Sequence, residues 1–209
     1  MTVMPVMPVM PVMPVMPVMP VMPVMPVMPS MPPWSPDRYL QAARFAARAH
    51  NAQKVPGSEL PYLLHVTTVA AEVMAALARE STSDPDLAVV CALLHDTIED
   101  CGVQTQALVD EFGPAVAAGV LALSKDPSLP KDQAMADSLR RIQAQPREVW
   151  MVKLADRIAN LQPPPAHWTP AKIAAYRAQA ITIADTLGAA SPHLLARLRA
   201  KIADYPHTA

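Results

Sequence analysis

Beyond residue 35 no stretch of strand length sustains an alternation of polar and apolar positions, and helical start and stop signals recur instead. Ser35-Pro36-Asp37 places a cap, a proline suited to a first helical turn and an acid behind it, predicting a helix over 36–52. A turn-rich loop, Val55-Pro56-Gly57-Ser58-Glu59-Leu60-Pro61, follows. Further helices are predicted over 62–78, 84–100, 104–112 and 114–123, then over 132–143 and 146–161. Pro163-Pro164-Pro165 stops the last of these, and helices over 170–187 and 192–203 complete the series. The pattern predicts an all-α domain over 35–209.

Residues 1–34 follow another rule. Nine consecutive Val-Met-Pro units run from Val3 to Pro29 and would register as a membrane span on hydropathy alone. A proline at each third position denies a helix its amide donors, and an extended chain leaves its carbonyls unpaired in lipid. The segment lacks both the basic start of a secretory signal and the glycines of a collagen helix. A disordered or polyproline-II tail is expected, reaching up to roughly 80 Å at about 3.1 Å per residue. Translation from Met31 would omit it.

With the tail set aside, all 17 Lys and Arg and all 18 Asp and Glu of the 209 residues fall in the remainder, an ordinary density for a soluble domain. The net charge of −1 argues against nucleic-acid binding, which needs a basic face. Two cysteines, Cys91 and Cys101, are too few for a disulfide scaffold and fit a reducing cytoplasm; neither shows a nucleophile–base arrangement in the sequence.

Candidate chemistry begins at Leu93-Leu94-His95-Asp96-Thr97-Ile98-Glu99-Asp100. On one continuous helix His95 would stack on Glu99 and Asp96 on Asp100, the four spanning an arc of about 140°. Four such groups behind an apolar run are costly to bury unpaired, and a divalent cation would offset their charge. Asp156 sits in a second apolar frame with Asn160 one turn on, and His65 enters a third hydrophobic helix. Taken together, His65, His95, Asp96 and Asp156 supply two imidazoles and two carboxylates, a donor set suited to Mn²⁺, Fe²⁺ or another six-coordinate ion.

These motifs resemble those of the HD-domain metal-dependent phosphohydrolases, and among them the hydrolase domain of RelA/SpoT proteins and the small alarmone hydrolases. The likeness rests on Ala46-Ala47-Arg48-Ala49-His50 with Gln53, on Pro61-Tyr62 with His65, on Leu94-His95-Asp96 with Glu99-Asp100, and on Lys153-Leu154-Ala155-Asp156-Arg157 with Asn160. It implies an all-α HD-domain bundle holding Mn²⁺ on His65, His95, Asp96 and Asp156, with Glu99 and Asp100 as the catalytic acidic pair. It also implies removal of the 3′-pyrophosphate from ppGpp or pppGpp. Lys131 looks like the family's phosphate-contacting loop lysine and Asn160 aligns with a nucleoside-contacting asparagine. Tyr62 is a candidate for stacking on the base or ribose, and Arg157 for binding phosphate. Solvated surface is the simpler reading of Lys125, Arg140 and Arg141.

One departure bears on the substrate. The family's Arg-Lys-Ser-type run is replaced by Lys54-Val55-Pro56-Gly57-Ser58, one residue longer before Tyr62, and Pro163 stands where the family has a nucleoside-facing threonine. The catalytic residues carry over and the guanine contacts do not. The competing readings are an HD-type phosphatase acting on NADPH or another nucleotide, and a nucleotide-binding regulator without catalysis.

Overall fold

The computed structural model describes residues 34–206, with Lys131 and Asp132 as backbone only. The Val-Met-Pro repeat lies outside the described residues. These fold into ten α-helices and one short 3₁₀ turn, and a lone antiparallel bridge from Lys54 to Pro61 closes the loop between the first two helices. None of the helices is long and apolar enough to cross a membrane.

Four helices start by one device. Ser35, Asp84, Thr169 and Ser191 each accept a hydrogen bond from an amide three residues on, and a proline follows each cap. The side chain satisfies an otherwise orphaned N–H and the proline gives up an amide that had no partner, each cap contributing about 1 kcal/mol. They open α1 (Pro36–Ala49), α3 (Pro85–Leu94), α9 (Pro170–Leu187) and α10 (Pro192–Asp204). The others are α2 (Leu63–Leu77), α4 (Thr97–Cys101), α5 (Thr105–Phe112), α6 (Pro114–Leu123), α7 (Lys131–Gln143) and α8 (Arg147–Asn160).

The bundle is built around α3, where every residue from Leu87 to Leu94 is buried. A helix apolar on all sides must be surrounded, and α1, α2, α6 and α8 surround it. Gly119 allows a close approach: a Cβ there would lie 2.9 Å from both Cys91 Sγ on α3 and Val149 Cγ2 on α8. Helix α8 is buried from Val149 to Ile158 apart from Trp150, although it carries Lys153, Asp156 and Arg157. Helices α2, α3 and α8 therefore meet at the centre of the molecule, and each brings a candidate ligand there.

The helix expected over 84–100 is broken. Helix α3 ends at Leu94, His95 and Asp96 form a turn, and α4 restarts at Thr97. Side chains account for the break. The His95 Nδ1–H donates to the Ala92 carbonyl (2.9 Å) and the Thr97 hydroxyl to that of Leu94 (2.7 Å), so side chains engage the closing carbonyls of α3. Asp96, at φ −99° and ψ 0°, then redirects the chain. His95 over Glu99 and Asp96 over Asp100 on one rod, as the sequence suggests, is thus replaced by two short helices meeting at the ligands. Similarly, α1 stops at Ala49, short of the expected residue 52, because His50 turns into the loop and bonds Gln53.

Candidate metal centre

Four donor atoms converge where α2, the α3–α4 turn and α8 meet. His65 Nε2 lies 3.4 Å from His95 Nε2 and 3.5 Å from Asp156 Oδ1. Asp96 Oδ2 lies 3.0 Å from His95 Nε2 and 3.6 Å from His65 Nε2, and His95 Nε2 is 3.7 Å from Asp156 Oδ1. An octahedral ion with ligands near 2.1 Å requires neighbouring donors about 3 Å apart, close to these spacings. Since His95 Nδ1 carries its proton to the Ala92 carbonyl, the neutral ring turns the Nε2 lone pair toward Asp96. Only a proton or a cation can sit between two such lone pairs. The residues fit a divalent ion.

The electrostatics agree. Burial opposes charge on His95, but the Asp96 carboxylate and hydrogen bonds to Asp156 and Asp96 outweigh it and push its pKa up to about 10. His65 is raised in the same way, burial being outweighed by hydrogen bonds to Asp156 and Asp96. Burial likewise opposes charge on Asp96 and Asp156, yet His95 beside Asp96, and Lys153 followed by the histidines beside Asp156, hold both carboxyls well below their usual range. Without a metal, protons do the work of the ion.

A surrounding set of bonds fixes the ligands. The Tyr62 hydroxyl donates to Asp96 Oδ2 (2.6 Å), Lys153 Nζ to Asp156 Oδ2 (2.9 Å), and the Asn160 amide to Asp156 Oδ1. Tyr62 is buried with its ring flanked by the imidazoles of His50 and His65, which places it beside Asp96. The two acids of α4 go separate ways: Glu99 accepts from the amide and Nζ of Lys125 (2.8 and 2.7 Å), and Asp100 from Gln53 Nε2 (2.7 Å). Lys125 is thus exposed, as expected, and also paired, and Arg141 binds the carbonyls of Leu121, Ala122 and Ser124. Lys131 opens α7, and its side chain lies outside the described residues.

Beside the centre is a cavity of about 580 Å³ reached by His65 and Asn160. Val55, Pro56, Leu60 and Leu64 form one wall, and Pro163, Trp168 and Tyr176 another. Trp168 and Tyr176 meet edge to face with centroids 5.2 Å apart. Arg157 lies under Tyr176, its guanidinium carbon 4.2 Å from the ring centroid, buried with Nε and Nη1 lacking a hydrogen-bond partner among the described residues. Trp168 and Tyr176 are absent from the sequence-based site, since nothing in their local pattern separates a cavity wall from helix packing.

The HD domain family matches residues 42–189. The chain belongs to the HD-domain family. It is 30% identical over 142 residues to guanosine-3′,5′-bis(diphosphate) 3′-pyrophosphohydrolase MESH1 of Danio rerio, covering 66% of this chain and 77% of that protein. It is 35% identical over 135 residues to a GTP pyrophosphokinase of Myxococcus xanthus, spanning 60% of this chain and only 17% of that longer protein. Its fold matches the solved structure of a metazoan ortholog of SpoT that hydrolyzes ppGpp, with a TM-score of 0.71 and 24% identity, over 81% of this chain and 96% of that one. This makes the protein an HD-domain phosphohydrolase, and its buried His65, His95 and Asp156 group is suited to a divalent metal.

Proposed function

We propose that this HD-domain phosphohydrolase removes the 3′-pyrophosphate from a purine alarmone, guanosine-3′,5′-bis(diphosphate) or a close analogue, with Mn²⁺ as its ion. The convergence of His65, His95 and Asp156, with Asp96 Oδ2 3.0 Å from His95 Nε2, beside a nucleoside-sized cavity carries this reading. The relatives named for 3′-pyrophosphohydrolysis support the reaction class.

When bound, the cation supplies Lewis acidity, polarising a phosphoryl oxygen and lowering the pKa of water. The protein's own groups do the rest. Asp100, held by Gln53, and Glu99, held by Lys125, position the attacking water and carry its proton. Asn160 commits its N–H to Asp156 and keeps its carbonyl oxygen for a ribose hydroxyl. Arg157 and Lys131 supply positive charge for the phosphates. The aromatic wall of Trp168 and Tyr176 takes the flat base.

One observation favours a second substrate. Val55 and Pro56 replace the arginine-containing run of the family, and Pro163 its threonine, so the cavity wall presents apolar surface where guanine contacts are expected. Adenine alarmones or NADPH would meet the same wall. Mn²⁺-loaded protein incubated with ppGpp, ppApp, NADPH and deoxynucleoside triphosphates separates these by product. Pyrophosphate released from ppGpp or ppApp, and lost in Asp96→Ala, is the expected result. Survival of both while another nucleotide releases phosphate replaces the proposal with the phosphatase reading, and turnover of none leaves only a binding role.

A further inference from the structure

A second cluster lies at the edge of this centre. Cys101, at the end of α4, places Sγ 3.1 Å from His50 Nδ1 and 3.8 Å from Gln53 Oε1, and His50 Nδ1 is 2.7 Å from that oxygen. Helix α4 ends there because Gly102 takes φ 66°, and the thiol is left partly exposed. These residues are 51 and 48 positions apart in sequence, which is why no base is visible beside Cys101 from the sequence alone.

His50 is 3% exposed, and its Nε2 has no partner among the described residues in either neutral form. With the proton on Nδ1, Nε2 is a buried acceptor with no donor among the described residues. With the proton on Nε2, that N–H is buried without an acceptor, and the lone pairs of Nδ1 and Gln53 Oε1 face each other at 2.7 Å. A cation held by Nδ1 and Oε1 replaces the Nδ1–H bond of the first form and selects the second, with Nε2 unpartnered in both.

We propose that His50 Nδ1, Cys101 Sγ and Gln53 Oε1 form a second cation site, selective for thiophilic divalent ions such as Zn²⁺ or Cd²⁺. Ligand distances of about 2.0 Å to nitrogen or oxygen and about 2.3 Å to sulfur place tetrahedral donors roughly 3.3–3.5 Å apart; the two sulfur separations bracket that spacing, and Nδ1 and Oε1, hydrogen-bonded at 2.7 Å, part by about 0.6 Å on binding. The partly exposed thiol leaves the fourth position to water. Burial, then the charges of Asp100 and Asp96, push the Cys101 thiol up, so the free thiol keeps its proton and is a poor nucleophile. The same two carboxylates attract a divalent ion, and binding releases the thiol proton to solvent with no change of oxidation state. The main centre, all nitrogen and oxygen, suits a harder ion, so the two sites sort metals by softness.

Gln53 links the sites, because its Nε2 donates to Asp100 Oδ2. A cation on Gln53 Oε1 thus puts positive charge one hydrogen bond from Asp100 and lowers its basicity. This effect on turnover rests on the role proposed for Asp100; the binding does not.

The test is Cd²⁺ titration of the full chain with its main centre filled by Mn²⁺, read by the ultraviolet thiolate-to-Cd²⁺ absorption and by Mn²⁺ retention. One saturable equivalent is expected, absent in Cys101→Ala and weakened at least about tenfold in His50→Gln and in the less buried Gln53→Leu. No band in the wild type, a band surviving in Cys101→Ala, or equal affinity in whichever of His50→Gln and Gln53→Leu folds overturns the site. Zn²⁺ should then inhibit the wild type with Mn²⁺ retained and spare Cys101→Ala. A band without inhibition upholds the site and removes Asp100 from the reaction.

Discussion

Helix α8 buries two carboxylates with different surroundings. Glu148, near its start, faces hydrogens: its Oε1 accepts from the Thr82 hydroxyl and from the amides of Ser83 and Asp84. Asp156, two turns on, accepts from Lys153 Nζ and the Asn160 amide, and in addition both imidazole Nε2 atoms lie within 3.7 Å of its Oδ1. A buried carboxylate surrounded by fixed N–H and O–H groups is finished, and ties the start of α3 to α8. One that also shares its space with two imidazole nitrogens and a second carboxylate has surplus acceptor capacity, and that surplus suits a cation. Burial and an apolar frame are common to both, so only the polarity of the neighbours separates a structural acid from a ligand.

The sharpest way to break this contrast is to neutralise each acid. Asp156→Asn keeps the side-chain shape, and it should abolish Mn²⁺ retention and lower turnover by at least about a thousandfold. Metal content by elemental assay alongside kinetics checks it, and a variant that keeps its ion refutes the ligand assignment. Glu148→Ala should behave in reverse. It leaves a hydroxyl and two amides without their acceptor and should cost about 3 kcal/mol of stability by urea unfolding, with Mn²⁺ affinity unchanged.

The same acid predicts a pH dependence. Burial opposes ionisation of Glu148, but the hydrogen bonds from Thr82, Ser83 and Asp84 outweigh it and hold its carboxyl below its ordinary value of 4.5. Its stabilisation is therefore present above that value and lost as pH falls through the lower folded value. Between pH 5 and pH 3, Glu148→Gln should lose less stability than the wild type, read from thermal melts; parallel curves would contradict this. The smallest effect belongs to the cavity. Asn160→Ala should raise KM by roughly tenfold, about 1.4 kcal/mol, with a smaller change in kcat, and an unchanged KM removes Asn160 from nucleoside binding.

Much of this architecture is legible in the sequence because its punctuation is local. The Ser-Pro, Asp-Pro and Thr-Pro pairs mark helix starts, and the predicted ends at 112, 123 and 187 coincide with those of α5, α6 and α9. The donor types of the metal centre are legible as well, since His65, His95 and Asp156 interrupt apolar runs. The break at His95 is not, because it depends on side chains closing back on carbonyls within a segment whose composition suits an unbroken helix. The partners of Glu99 and Asp100 are not legible either, because Lys125 and Gln53 come from distant loops. The His50–Cys101 contact depends wholly on packing across 51 residues.

Consecutive residues of an unbroken helix project about 100° apart, too far for both to grip one small ion. The interruption after Leu94 brings His95 Nε2 and Asp96 Oδ2 within 3.0 Å, as the proposed ligation requires. Efforts to make the protein hardier by raising helix propensity at this joint, for instance with alanine at Thr97, would straighten it and swing one of the two adjacent side chains off the ion. Here local imperfection of the rod is a requirement of the chemistry, and sturdier variants should be sought elsewhere in the bundle.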